Sequence, residues 1–216
     1  MNSLVYESAA VELLRSFPSV ALLSGQLAYG DGKLWQIDRR QLLILGIDPL
    51  SGRVLQTFEF VGEPAGMVFA PALDQLWVAD QRLGLISCLT PQHGKLIGYL
   101  PLAPGLSLAG ALAYDGQQLW HADSTAGRLM GIDLGSGILK QVVELDAHLS
   151  GIAFWQQQLY FVDSQRHQLA SFDPVTLRLQ RAYPLPGSPL GLASDGDCFW
   201  YLDARLDLIC QLKLLV

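Results

Sequence analysis

The chain is a succession of short apolar runs broken by polar turns. QLAY, GMVF, ALAY, GIAF and GLAS each lead through a turn such as GDG, DGQ or SDGD into a second run, L-W-x-x-D or a close variant. Runs of about 4–8 residues between turn formers predict strands rather than helices. Each second run ends in a short arginine-containing loop. A third run then closes on a turn: GIDPLSG, CLTPQHG, GIDLGSG and SFDPVTL. A fourth, alternating run follows in RVLQTFEF, KLIGYLPL, ILKQVVEL and RLQRAYPL. Asp-Pro and Ser-Gly suit these turns, because proline presets φ, glycine supplies positive φ and an aspartate side chain bonds nearby backbone.

The pattern repeats five times. The apolar residues Leu27, Met67, Leu112, Ile152 and Leu192 are spaced by 40, 45, 40 and 40 residues. The aromatic column Trp35, Trp77, Trp120, Tyr160, Trp200 and the acidic column Asp38, Asp80, Asp123, Asp163, Asp203 keep the same register. Four antiparallel strands in a unit of about 40 residues predict a β-propeller blade. The expected fold is therefore all-β: a five-bladed propeller of four-stranded antiparallel blades in a single domain over residues 1–216. The repeats fall at approximately 25–65, 66–109, 110–150, 151–190 and 191–216. Small residues at Ala28, Val68, Ala113, Ala153 and Ala193 suit the crowded axis. The aromatic column suits the wider wedge further out, where one such side chain can bury about 150–250 Å². The fifth repeat lacks a fourth strand, and AVELLRSF (residues 10–17) is the expected donor that closes the ring. Closure would remove two exposed sheet edges.

The DG-x-LW-x-x-D…IDP-x-(S/T)G-x-V phrase resembles bacterial propeller repeats of the YVTN, NHL and virginiamycin B lyase-like kind, over nearly the whole chain. That resemblance implies a ligand site at the axis, on the face where loops join fourth to first and second to third strands. The gluconolactonase-like relatives of these repeats hold a divalent metal with Glu, Asn and Asp. The positions matching their asparagine are Gly25, Ala65, Gly110, Ser150 and Leu190, and the chain's one asparagine is Asn2. Only their acid has a counterpart, Asp163. The FTQGL-like phrase of plant-type glutaminyl cyclase, also five-bladed, is absent.

Composition narrows the setting. Half of the residues are hydrophobic and 16% are charged, as expected for strands buried on both faces. The net charge is −6 with 14 Lys and Arg, and no basic run occurs, which argues against nucleic-acid binding. No apolar run reaches the roughly 18 residues of a membrane span. The N-terminus does not read as a signal peptide. Cys88, Cys198 and Cys210 are odd in number, so free thiols in a reducing, cytoplasmic setting are expected, although Cys198 and Cys210 could approach across a hairpin. A monomer is expected.

The recurring aspartates have two readings. Each ends a strand and begins a loop, where a carboxylate can accept backbone N–H bonds and fix the turn. Alternatively, five converging carboxylates could bind Ca²⁺ or Mg²⁺ through oxygen ligands. The arginines Arg39, Arg82, Arg128, Arg166 and Arg205 in the same loops could form a collar for an anionic ligand, or could simply pair with those aspartates. Breaks in the repeat point elsewhere. These are the insertion PLAPGLSLAG, Glu63 before the second blade, His148 before the fourth, and His121 within the third. Glu63, His148, Asp123 and Asp163 together could serve as general acid–base groups or hard-metal ligands. His121 stands where the other blades have Val78, Phe161 and Tyr201, and so reads as a core residue. The sequence thus leaves two functions open. One is a binding propeller that takes a small molecule or protein segment at the channel mouth. The other is a lyase or hydrolase, metal-assisted or not.

Overall fold

The computed structural model describes residues 10–21, 25–102 and 110–215. These residues form a ring of five four-stranded sheets, each antiparallel, as the periodicity predicts. Blade 1 contains β2 (Leu27–Gly30), β3 (Lys33–Asp38), β4 (Leu43–Ile47) and β5 (Val54–Glu59). Blade 2 contains β6 (Pro64–Ala70), β7 (Gln75–Asp80), β8 (Leu85–Leu89) and β9 (Leu96–Pro101). Blade 3 contains β10 (Gly110–Tyr114), β11 (Gln118–Asp123), β12 (Arg128–Asp133) and β13 (Leu139–Glu144). Blade 4 contains β14 (Leu149–Trp155), β15 (Gln158–Asp163), β16 (Gln168–Asp173) and β17 (Arg178–Pro184). Blade 5 contains β18 (Pro189–Ser194), β19 (Phe199–Asp203) and β20 (Leu208–Leu215), and its fourth strand is β1 (Ala10–Pro18). The register of that last pair runs from Ala10 opposite Leu215 to Pro18 opposite Leu208.

The first strands β2, β6, β10, β14 and β18 contact one another in turn around the axis. Alternation along each first strand sends its two faces into different wedges. Leu27 packs with Trp200 of blade 5, whereas Ala28 packs with Met67 and Trp35 towards blade 2. The same division recurs at every blade boundary, so five separate apolar clusters fill five wedges. Trp35, Trp120 and Trp200 are almost wholly buried. The third strand makes room for the indole: Gly46 lies opposite Trp35, and a Cβ there would sit 3.2 Å from the ring. The polar edge of these three indoles is satisfied by the turn of their own hairpin, whereas Trp77 Nε1 is buried with no partner among the described residues. Trp120 and Trp200 donate Nε1–H to the turn carboxylates of Asp115 and Asp195 at 2.8 and 2.7 Å, and Trp35 donates to the Gly30 carbonyl at 3.0 Å. His121 is fully buried at the equivalent of Val78 and Phe161. All three cysteines are free and buried. No helix among the described residues is long and apolar enough to cross a membrane.

The turns between third and fourth strands rest on Asp48, Asp133 and Asp173, each accepting backbone N–H groups two or three residues on. Their carboxyls are held below the usual range: Asp133 by Lys140 and Ser136, Asp48 by Ser51, and Asp173 by the Thr176 and Val175 amides. A depressed folded-state pKa stabilises above the unfolded value and is lost as pH falls through the folded value. Stability to urea should therefore be flat above about pH 5 and fall below about pH 4, where free Asp titrates. Asp133→Asn should make the fall shallower in a pH series of urea midpoints. Deleting residues 1–17 should expose β20 and yield oligomeric or insoluble protein by size-exclusion chromatography; a soluble monomer would contradict the closure.

Candidate functional site

The channel is divided along its axis. A lower cavity of about 120 Å³ is lined by first-strand residues of all five blades, from Leu27–Tyr29 round to Leu192–Ser194. Above it the strands close in. A Cβ on Gly66 would lie 2.0 Å from the Gly110 carbonyl oxygen, and one on Gly151 would lie 2.3 Å from the Gly191 backbone. Only glycine allows this approach. Across the same level, Gln26 donates its side-chain amide to the Ser150 carbonyl at 3.1 Å, joining blade 1 to the non-adjacent blade 4.

Over this neck opens a mouth cavity of about 200 Å³. Its polar lining comes from Gln26, Arg39, Ser124, His148 and Ser150, with Gly25, Ala65, Gly110, Leu149 and Leu190 between them. Arg39 is steadied by a 3.0 Å bond from Nη2 to the Gln81 side chain. His148 is exposed, and its Nδ1 lies 2.8 Å from Ser164 Oγ. With Nδ1 engaged, Nε2 is the ring nitrogen left for a ligand. Histidine is suited to proton transfer near neutral pH.

The five closing aspartates are buried and act on their own loops. Oδ1 of Asp38, Asp80, Asp123 and Asp163 accepts the N–H groups of the residues two and three positions on, at 2.8–3.1 Å. Asp203 accepts from Arg205 at 3.0 Å. Three of them also tie down the loop entering the same blade, accepting N–H from Glu63, His148 and Ser188 at 3.3, 3.4 and 3.1 Å. The remaining oxygen of Asp163 takes a 2.8 Å bond from Arg166. Among the described residues, no three His, Cys, Asp or Glu side chains are grouped so as to hold a metal ion.

The candidate residues therefore separate. His148 lines the mouth, with Asp163 beneath its backbone; Asp123 lies one residue from the lining Ser124. Glu63 is exposed and is not part of the lining. Of the arginines, Arg39 alone faces the mouth cavity among the described residues. Arg128 pairs with Glu144 on the outer strand of its blade at 3.0 Å, and Arg166 pairs with Asp146 and Asp163, each at 2.8 Å. Arg82 and Arg205 are exposed and lie outside the lining. Most of the insertion, residues 103–109, lies outside the described residues. The reading from sequence passed over Gln26, Ser124 and Ser150. Gln26 was the most detectable, because its equivalents are Gly66, Ala111, Gly151 and Gly191.

Fold and site together define a five-bladed β-propeller with a polar mouth that Gln26 spans. No protein-family model matches the chain, and no curated protein matches its sequence. Among solved structures it is similar to glutaminyl cyclase of Myxococcus xanthus, with a TM-score of 0.79 and 12% identity over 96% of this chain and 97% of that one. It is also similar to virginiamycin B lyase of Staphylococcus aureus, with a TM-score of 0.57 and 17% identity over 89% of this chain and 66% of that one. A streptogramin B lyase gives 0.59 and 18%, over 95% and 72%. At such identities the likeness is one of fold.

Removing one closing carboxylate strands several buried N–H groups, at about 1–3 kcal/mol for each group left without a partner. Asp80→Ala should therefore lower unfolding free energy by at least about 1–3 kcal/mol in urea titrations. A variant as stable as the parent would show that the carboxylate is not needed for the turn.

Proposed function

We propose that this propeller binds a small, anion-bearing molecule, or the end of a protein segment, in the mouth cavity. The observation that carries the reading is the convergence of Arg39, His148, Gln26, Ser124 and Ser150 on one cavity, with Gln26 bonded across the channel. Arg39 supplies a fixed cation with a planar donor fork that matches carboxylate or phosphate. The serines and Gln26 supply neutral donors and acceptors. At about 200 Å³ the cavity is smaller than the roughly 300 Å³ at which drug-sized sites begin, which favours a small ligand or a single side chain.

A lyase or hydrolase is the second reading. The contact between His148 and Ser164 favours it, because a positioned imidazole can move a proton to or from a bound substrate. Structural neighbours that are enzymes add support. In the metal-assisted form of this reading, Glu63, Asp123 and Asp163 would have to supply ligands. The bonds made by Asp123 and Asp163 to their own loops weigh against that form.

Thermal shift against succinate, acetate, phosphate, Ca²⁺, Mg²⁺ and EDTA separates these readings. The expected result is stabilisation by a small anion, weakened about tenfold (about 1.4 kcal/mol) by Arg39→Ala and by His148→Ala. Stabilisation that survives both substitutions would remove the mouth as the site. A Tm raised by either cation and lowered by EDTA would favour the metal-assisted form.

A further inference from the structure

Blade 4 departs from its siblings in three linked ways. Its aromatic position holds Tyr160, where the other blades have tryptophan. Its inner hairpin turns on Gln156 and Gln157, both with positive φ, 46° and 64°. The equivalent turns of blades 1, 3 and 5 use Gly32, Gly116 and Gly196. Two side-chain-bearing residues in left-handed geometry are strained, and strain of this kind collects where a side chain is needed. The third departure is space. A cavity of about 260 Å³ opens at the wedge between blades 4 and 5, away from the mouth residues.

The chemistry of that cavity is consistent around its wall. Trp155, half-buried, supplies the accessible aromatic surface, while Tyr160 and Tyr183 line the wall largely buried. Gln156, Gln158 and Gln180 supply carboxamides, and Arg181 the one charge; no carboxylate lines it. Trp155 is locked in place by a 2.7 Å bond to the Gly196 carbonyl and by an edge contact with Phe199 at 5.3 Å. Tyr160 is 6% exposed and lines the cavity. Burial pushes the Tyr160 phenol up to about 12, so it stays a neutral donor at any physiological pH. Arg181 has no carboxylate partner among the described residues, and its side chain is near enough to Tyr160 to act on its charge.

We propose that the wedge between blades 4 and 5 is a second ligand site, separate from the channel mouth, that takes a pyranose sugar carrying one carboxylate. The C–H face of a pyranose packs on the Trp155 ring, its hydroxyls suit carboxamides and the Tyr160 phenol, and its carboxylate pairs with Arg181. The cavity volume fits one ring rather than a chain.

Glucuronate, glucose and acetate are the probes, titrated by calorimetry and by ligand-observed NMR. In an Arg39→Ala, His148→Ala background, which removes the mouth as a competing anion site, glucuronate should bind with a Kd of millimolar or tighter, glucose at least tenfold more weakly and acetate not at all. Arg181→Ala should weaken glucuronate at least tenfold. Tyr160→Trp installs the residue that the other blades carry, fills the cavity and should abolish binding. If Tyr160→Trp does not fold, Gln180→Ala combined with Arg181→Ala takes its place, since both residues are exposed on β17. Absence of glucuronate binding would overturn the proposal. So would binding that survives Tyr160→Trp or the Gln180→Ala, Arg181→Ala pair. Equal binding of glucose and glucuronate would overturn the carboxylate assignment.

Discussion

Everything in this molecule depends on filling wedges. Flat sheets arranged radially touch at the axis and diverge outward, so each blade must present small side chains inside and large ones outside. The Ala28 and Trp35 columns do this on one face of each blade, and the Leu27 and Leu34 columns fill the other. Because each wedge is filled from both of its walls, no blade has a complete core alone. The interior is not one mass but five clusters, each crossing a blade boundary.

That constraint explains why the fold was legible in the sequence. Wedge filling is the same problem five times, and the chain answers it with the same residue classes at the same spacing. The missing fourth strand of the last repeat and the spare strand at residues 10–17 were one observation seen from two ends. The acceptor role of the closing aspartates was also readable, because the turn lies at a fixed distance along the chain.

The site was less legible for a geometric reason. In three blades the residue immediately after the closing aspartate reaches the mouth: Arg39 and Ser124 line the cavity, and Ser164 bonds His148. The arginines occupy different steps of the loop. Arg39 follows its aspartate directly, whereas Arg166 is three residues on and Arg128 already begins β12, facing Glu144. A collar of five arginines was a fair reading of composition, but one residue of displacement along a turn changes the direction of a side chain. Function falls where the repeat is free to vary. Gln26, which replaces glycine or alanine, reaches across the channel to the Ser150 carbonyl of blade 4.

The pairing of β1 with β20 has a consequence for how the molecule is made. Residues 10 and 215 are hydrogen-bonded neighbours. At synthesis rates of about 5–20 residues per second, the stretch between them takes roughly 10–40 s to emerge. Blades 1 to 4 are built of contacts between near neighbours in sequence and can pair as they appear. The strand made first must wait for the strand made last. Until then the nascent chain carries an unpaired strand at each end of an open arc. The last event in assembly is thus a long-range one, of the slow kind that high contact order imposes.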